Sequence, residues 1–288
     1  MTNENMLKLS SLNFKNFLSV ILALIFFVFP FFGKLTEPNI LFAFETAIFI
    51  VALIWMIYKL IKHEHFKLNT LLIIPALLFV IAHIIPIILG GSVQSDYIIR
   101  YCALFSIFII LADISKDRLN TFIFLNAIAL SGVIFALLSI DSALGALVSN
   151  ALNLSNIGFD GYRTVGLLQH APSSAIYLTV TVFSLIFLSL SATKRLMKLI
   201  YTGLIAPVVI AICLTMTPVS IIIFGICYIF ILLMLYKKGE KIEFLIYSVV
   251  AILSGFIFFL PITKAALDIS TSVHTFEELL VARNAGTI

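Results

Sequence analysis

Residues 39–60 read NILFAFETAIFIVALIWMIYKL and contain two charged residues, Glu45 and Lys59. An apolar run of about 20 residues is long enough to cross a bilayer as a helix, because lipid hydrocarbon offers the backbone no hydrogen-bond partner. The stretch therefore predicts a transmembrane helix. Similar runs follow one another along the chain, separated by short clusters of charged residues.

The composition of the whole chain also indicates a membrane protein. Of its 288 residues, 62% are hydrophobic and 11% are charged, and the mean hydropathy is +1.18, whereas soluble domains are about half apolar and about one quarter charged. A soluble enzyme is excluded. The net charge of +4 is confined to clusters between the apolar runs, so no nucleic-acid partner is expected.

The apolar runs predict an all-α fold, a single polytopic bundle of about nine transmembrane spans over residues 1–288. The spans are expected near 17–33, 39–60, 70–90, 97–112, 120–139, 172–190, 198–216, 218–235 and 243–262. Of the 18 lysines and arginines, 13 fall on the N-terminal side of the membrane and 5 on the other side. Because flanking cations stay in the cytoplasm, we expect a cytoplasmic N-terminus and an extracytoplasmic C-terminus.

Two segments, 140–171 and 263–288, are expected to be extracytoplasmic, the second as the start of a larger loop. Within the first, residues 142–156 carry apolar side chains at helical spacing, which is typical of a short helix lying on the membrane surface. Asp160-Gly161 predicts a turn that delivers Arg163 to the start of the sixth span.

Ionisable residues inside spans are costly and commonly face a polar cavity, so each is a candidate for a functional site. Glu45, His83 and Arg100 fall in the outer halves of spans two to four. Arg163 and His170 approach span six from the same side, and together the five residues predict a polar cavity open to the outside. Structural explanations exist as well: Arg100 can extend to lipid headgroups, Glu45 can pair with it, and His83 can donate to a neighbouring carbonyl.

Outer-facing arginines favour a ligand with phosphate oxygens, because guanidinium groups bind such oxygens bidentately and stay charged at physiological pH. A pyrophosphate at the membrane surface fits this chemistry, and so does an anionic lipid headgroup. Walker, HExxH and GxSxG motifs do not occur in the sequence, so ATP hydrolysis, zinc proteolysis and serine hydrolysis lack support. His63 and His65 lie in a cytoplasmic lysine cluster and are expected to be solvated rather than to bind a metal.

One stretch carries a family resemblance. Residues 162–173 read YRTVGLLQHAPS and precede a span, a basic turn and a second span that ends in LTMT at 214–217. This arrangement resembles the O-antigen ligase and polymerase family of bacterial inner-membrane proteins. Arg163, Gly166 and His170 match the Arg-x-x-Gly segment of that family and the His or Asn that follows it.

The sequence departs from the family pattern at several positions. Ala171 and Pro172 stand where Pro-Asn is usual, and Pro218 replaces an arginine that follows Thr-x-Ser. Family members continue beyond the ninth or so span into a large periplasmic loop with a histidine, then into further spans, whereas this sequence ends at Ile288. The setting of His274 does not match that histidine. We expect the front part of such an enzyme, with a truncated frame, a fragment or an inactive relative as alternatives.

The resemblance implies a metal-independent membrane glycan transferase that needs no cofactor. Its reaction would move a polysaccharide from an undecaprenyl pyrophosphate carrier to lipid A core or a similar acceptor, on the periplasmic side of the inner membrane and among membrane lipids. The catalytic candidates are Arg163 and His170; the substrate-binding candidates are Arg163 and Gly166 with Glu45, His83 and Arg100 from the outer-half analysis. The alternatives are an O-antigen polymerase, a lipid-linked glycan flippase or transporter, and a non-catalytic membrane partner.

Overall fold

The computed structural model describes residues 14–32, 38–63, 70–89, 95–143, 148, 158–159, 164–166, 168 and 170–254. Within these ranges the chain forms nine helices and one pair of very short strands. In chain order they are α1 (Phe14–Phe32), α2 (Pro38–Ile61), α3 (Thr70–Leu89), α4 (Ser95–Ile114), α5 (Arg118–Ala143), β1 (Gly158–Phe159), β2 (Thr164–Gly166), α6 (Ala171–Ser191), α7 (Arg195–Leu214), α8 (Pro218–Lys238) and α9 (241–254).

The helix ends follow from local sequence. Asp117 accepts a hydrogen bond from the backbone N–H of Leu119 at 3.0 Å and so caps the start of α5. The helix α8 has a proline in its first turn and ends at Gly239, whose φ of 82° lets the chain close the helix in the left-handed conformation. Lys237 and Lys238 occupy the last turn of α8, where cations interact favourably with the helix dipole.

Several of these helices can cross a membrane. Among the described residues, five helices are long and apolar enough to do so: Asn39–Ile61, Arg118–Ala143, Ala171–Ser191, Arg195–Leu214 and Val219–Lys238. Two further apolar helices, Asn16–Phe32 and Ile73–Ile85, are shorter. The predicted helical membrane fold is therefore confirmed, whereas the number of nine spans and their orientation stay predictions.

The surface of α8 is typical of a helix in lipid. Its exposed residues include Ile222, Ile226, Ile229 and Leu233, which recur every three or four positions along one face. In water such a continuous apolar face would have to be covered by protein, whereas in a bilayer the lipid chains cover it. The opposite face contributes Tyr228 to the protein interior, where its hydroxyl donates to the carbonyl of residue 247 at 3.0 Å.

The chain divides into two compact units. The first comprises residues 1–29 and 37–127, and the second comprises residues 30–36 and 128–288. In the first unit α4 packs against both α2 and α3. Edge-to-face ring contacts add to this packing, between Phe26 and Phe124 and between Phe29 and Phe44, each with ring centroids 5.1 Å apart.

The second unit is built around α6, which packs most extensively on α7 and also contacts α8 and β2. Towards α5, the hydroxyl of Tyr177 on α6 hydrogen-bonds that of Ser131. One turn away, Gly132 of α5 lies so close to Thr181 that a side chain at position 132 would collide with the Oγ1, Cγ2 and Cβ atoms of Thr181. The small residue is what lets the two helices approach.

One sequence expectation lies largely outside the described residues. The surface helix predicted for 142–156 begins with Ser142 and Ala143, which form the last residues of α5. Val148 is exposed, and its N–H donates to the carboxylate of Asp141 at 3.0 Å. The other residues of that segment lie outside the structure's description, and the surface helix stays a prediction.

We expect Gly132→Ala to lower the thermal unfolding temperature in detergent, because the added methyl group forces α5 and α6 apart at a cost of about 1–3 kcal/mol. Gly203→Ala on α7 is the matched control, since a Cβ added there would have no packing neighbour within 4 Å among the described residues. That variant should be neutral or slightly stabilised, because alanine favours helix. Equal effects of the two substitutions would contradict the close approach.

Candidate functional site

The segment that carries the family resemblance includes β2, which pairs with β1 in the second unit. β1 pairs with β2 in antiparallel fashion, with Gly158 opposite Gly166 and Phe159 opposite Thr164. The predicted turn and the catalytic candidate Arg163 belong to residues 160–163, which lie outside the described residues, so Arg163 is located only by its position immediately before β2.

Hydrogen bonds anchor β2 to the end of α5. Thr164 is fully buried, and its Oγ1 lies 3.0 Å from the hydroxyl of Ser142. The same Thr164 hydroxyl lies 3.3 Å from the backbone carbonyl of Ser139, which also accepts from Ser142. Because each of these groups is buried, losing one partner would leave another unsatisfied, and the network fixes the start of β2.

Gly166 is required by both backbone conformation and space. Its φ of 64° is in the left-handed region that disfavours side chains. A Cβ atom at this position would also lie 2.5 Å from Cζ of Phe135 and 3.1 Å from Oγ of Ser174. The glycine in the family-like motif therefore allows β2 to sit directly against α5 and α6.

His170 forms the N-terminal cap of α6. The Ser173 N–H donates to its Nδ1 at 3.4 Å, and the Ser173 hydroxyl lies 2.8 Å from the same nitrogen. Since a backbone N–H can only donate, Nδ1 accepts, and the proton of the neutral ring is on Nε2. The residue is exposed and four positions after Gly166, so its ring can donate a hydrogen bond from Nε2 at the end of α6.

Two further residues of the family-like pattern, Thr215 and Thr217, hydrogen-bond with each other. Thr215 donates from Oγ1 to the carbonyl of Ile212 at 2.7 Å, and its hydroxyl lies 3.0 Å from that of Thr217. Both threonines are buried, and Met216 between them has a φ of 50°. These hydroxyls stabilise the break between α7 and α8.

In the first unit, Arg100 and Glu45 form an ion pair. Nε of Arg100 donates to Oε1 of Glu45 at 3.0 Å, and the side chains are 42% and 11% exposed respectively. The pairing considered from the sequence is confirmed. A role for either residue in substrate binding stays a prediction.

His83 also has partners within the first unit. Its Nδ1 lies 2.8 Å from the carbonyl of Phe79, one helical turn earlier. Its ring packs between those of Phe79 and Tyr101, with centroid distances of 4.2 and 4.8 Å. The contact with a neighbouring carbonyl is confirmed, and substrate binding by His83 stays a prediction, as does its convergence with Arg163 on one outer cavity.

Sequence reasoning missed a buried charged cluster in the first unit. Nζ of Lys59 lies 3.1 Å and 2.8 Å from the two carboxylate oxygens of Asp113, and the side chains are 3% and 4% exposed. The indole N–H of Trp55 donates to the same carboxylate at 3.1 Å. By its position Lys59 counts among the 13 cations expected on the N-terminal side of the membrane, and the structure shows that it is buried. The available signal was the i, i+4 spacing of Trp55 and Lys59, which puts both on one face of α2.

No group of three or more His, Cys, Asp or Glu in the described ranges could hold a metal ion. His63 is exposed, in agreement with the solvated position expected for it, and His65 lies outside the described residues.

We expect Gly166→Ala to destabilise the protein more than Gly239→Ala does. Both glycines have positive φ, but a Cβ added at position 239 would meet no packing neighbour within 4 Å in the part of the chain that the structure describes. Strained backbone alone costs about 1–3 kcal/mol, and position 166 adds the collision with Phe135. Combining Gly166→Ala with Phe135→Leu should recover part of the loss in unfolding temperature. No recovery would show that the contact with Phe135 is unimportant.

We expect Lys59→Met to destabilise the fold by about 3–5 kcal/mol, because it leaves the buried carboxylate of Asp113 without its counter-ion. The double variant Lys59→Met with Asp113→Leu should be more stable than the Lys59→Met variant, since no charge remains buried. Lys198→Met is the control: Lys198 pairs with Glu243 at 2.5 Å, with side chains 36% and 15% exposed, and such partly exposed pairs contribute about 0–1 kcal/mol. Chemical unfolding in detergent micelles measures all three.

No protein-family model, curated protein or solved structure matches this chain. The family assignment therefore depends on residues 162–173 and 214–217 and stays a prediction. What the chain is, on the described residues, is a helical membrane protein with several transmembrane helices.

Proposed function

We propose that this protein is a membrane glycan transferase of the O-antigen ligase type. It moves a polysaccharide from an undecaprenyl pyrophosphate carrier to lipid A core or a similar acceptor. In this proposal the chain crosses a bacterial inner membrane nine times, with its N-terminus in the cytoplasm and its C-terminus in the periplasm. The nine described helices support the number of spans, and the 13 to 5 distribution of cations supports the orientation.

The observation that carries the proposal is the fixed position of β2 between α5 and α6. Arg163 directly precedes the anchored Thr164, and Gly166 can be replaced by no larger residue without a collision with Phe135. His170 caps α6 four residues later with an exposed ring. A histidine at a helix N-terminus, in a sequence with an arginine directly before the anchored strand, suits an anionic leaving group, because preorganised donors need no rearrangement during reaction.

The proposed chemistry is a displacement at the anomeric carbon of the carrier-linked sugar. A hydroxyl of the acceptor attacks this carbon, the bond to the pyrophosphate oxygen breaks, and undecaprenyl pyrophosphate leaves with the bonding electrons. The proton of the attacking hydroxyl passes to the departing pyrophosphate, so that the step balances. Arg163 stabilises the charge that develops on the leaving group. His170 donates from Nε2 to a pyrophosphate oxygen, in keeping with the acceptor role of its Nδ1 towards Ser173.

Arg100, Glu45 and His83 have a supporting place in this proposal. Glu45 orients Arg100 by accepting a hydrogen bond from Nε of Arg100. This bond keeps a cationic side chain partly exposed at the surface of the first unit. The ring of His83 is held by Phe79 and Tyr101. These residues bind parts of the carrier or the glycan rather than the reacting atoms.

We expect the full chain, reconstituted in proteoliposomes with labelled undecaprenyl pyrophosphate-linked glycan and lipid A core, to form a covalent glycan–acceptor product. Arg163→Ala should abolish this product, and Arg163→Lys should restore only part of it, because an ammonium cannot reproduce the planar donor fork of arginine. Gel mobility of the labelled acceptor measures the transfer.

The control for this experiment is Arg195→Ala, which removes an exposed arginine at the first position of α7 and should leave transfer unchanged. A polymerase would lengthen the carrier-linked glycan without acceptor. A flippase would change the side on which the labelled lipid is accessible, and a non-catalytic partner would change neither linkage nor sidedness. Any of these three results, or full transfer by Arg163→Ala at equal protein abundance, would contradict the ligase proposal.

A further inference from the structure

A polar cavity lies in the first unit where α2 and α4 end and α5 begins. Its volume is about 120 Å³, and it is lined by Trp55, Lys59, Asp113, Ile114, Lys116, Asp117 and Asn120. One water molecule occupies about 30 Å³ of liquid. The cavity can therefore hold a small group of a few non-hydrogen atoms.

One wall of the cavity is the buried ion pair. Lys59 contacts both carboxylate oxygens of Asp113, and Trp55 donates to one of them. The opposite formal charges of the two residues cancel at short range. The charge that the cavity favours in a ligand is therefore set by its other polar residues.

Asn120 leaves a buried acceptor unused. Its Nδ2 donates to Oδ2 of Asp117 at 2.9 Å. This bond fixes the orientation of the amide, because a reversed amide would set its oxygen against the carboxylate. The residue is only 1% exposed, yet its Oδ1 has no hydrogen-bond partner within the described part of the chain. A buried acceptor without a partner is costly, so the site calls for a ligand that donates.

The mouth of the cavity combines the two signs of charge. Asp117 is exposed, and its carboxylate can only accept hydrogen bonds; one oxygen already receives the N–H of Leu119. Lys116, next in sequence, is exposed and cationic. A group with an ammonium at one end and a phosphate at the other complements this pair. A purely anionic group would be repelled by the carboxylate of Asp117.

The position of the cavity indicates where such a group would come from. It lies at the C-terminal end of α2 and the N-terminal end of α5, two helices long and apolar enough to cross a membrane. The ends of transmembrane helices lie at the level of the lipid headgroups. Phospholipid headgroups with a primary ammonium therefore reach the level of this site in a membrane that contains such lipids.

We propose that this cavity binds the ammonium group of an ethanolamine phospholipid. The ammonium donates to Oδ1 of Asn120 and to the carboxylate of Asp117, and the adjacent phosphate contacts Lys116. A choline headgroup fits poorly because its trimethylammonium has no N–H to donate. The inference is independent of the proposed transferase reaction, since it involves other residues and the other unit.

The test is native mass spectrometry of the purified full chain, titrated with phospholipids that share the same acyl chains. We expect phosphatidylethanolamine to bind about tenfold more tightly than phosphatidylcholine, as expected for loss of a hydrogen bond from a charged group. N-methyl phosphatidylethanolamine keeps two N–H donors and should bind nearly as well. Equal affinity for the ethanolamine and choline lipids would overturn the proposal.

Variants of the cavity residues test whether the preference for ethanolamine lipid over choline lipid arises from this cavity. Asn120→Leu removes the unused acceptor at similar size and should abolish the preference for ethanolamine lipid. Asn126→Leu, on the same helix with its amide bonded to the carbonyl of Phe122, should retain it. If Asn120→Leu fails to fold, Asp117→Asn at the exposed rim serves instead and should weaken the preference several-fold. A preference that survives both cavity variants would overturn the site.

Two further titrations distinguish a phospholipid from a soluble amine as the source of the ammonium. Free ethanolamine, added at the concentration of the lipid, should leave lipid binding unchanged, because it lacks the phosphate and the acyl chains. Displacement of the lipid by free ethanolamine would identify a soluble amine as the ligand and overturn the lipid proposal. Phosphatidylglycerol, which lacks an ammonium, should bind no better than the choline lipid, and tighter binding of it would also count against the proposal.

Discussion

Lipid hydrocarbon accepts and donates no hydrogen bonds, so polar side chains on a transmembrane helix are costly unless they find partners in the protein. Some of them use the carbonyl one turn earlier in their own helix, as Thr179 does with Ala175 and Ser184 does with Val180. Such bonds place no demand on neighbouring helices. Others bond between elements: Ser131 to Tyr177, Ser142 to Thr164, Ser189 to Thr202, and Trp55 and Lys59 to Asp113. The second kind determines which helices lie together, and apolar packing fills the space between them.

The two units meet this requirement with different chemistry. The second unit uses hydroxyl groups and small residues, which allow α5, α6 and β2 to approach closely. The first unit uses full charges, the pairs of Arg100 with Glu45 and of Lys59 with Asp113. A buried ion pair contributes little net stability compared with apolar packing. Removing only one of its two residues is costly, because the other charge stays buried without its partner. Retained charges inside a membrane protein are therefore more informative about ligands than buried hydroxyls are, because hydroxyls can be satisfied locally.

The approximate positions of the described helices could be predicted from the sequence, because a bilayer requires apolar runs of about 20 residues. The predicted span 97–112 and the observed α4, Ser95–Ile114, differ only at their ends. The partners of Arg100 and His83 could be proposed as well, since depth in the membrane or spacing of one turn limits the choice. Asp113 could not be paired with Lys59, because that step requires knowing that α2 and α4 are neighbours. The strands β1 and β2 are too short to show any periodicity, so the strand pairing that fixes Gly166 was also beyond sequence reasoning.

The turn between α6 and α7 has a consequence for how the protein is made. Only residues 192–194 connect these two helices, which pack more extensively with each other than any other pair of described elements. The hydroxyl of Ser189 lies 2.8 Å from that of Thr202, so each helix hides a polar group of the other from lipid. When α6 has emerged from the ribosome and α7 has not, Ser189 is exposed to the hydrocarbon. This exposure ends when α7 emerges. The two helices are therefore suited to leave the insertion machinery side by side, as a preformed hairpin.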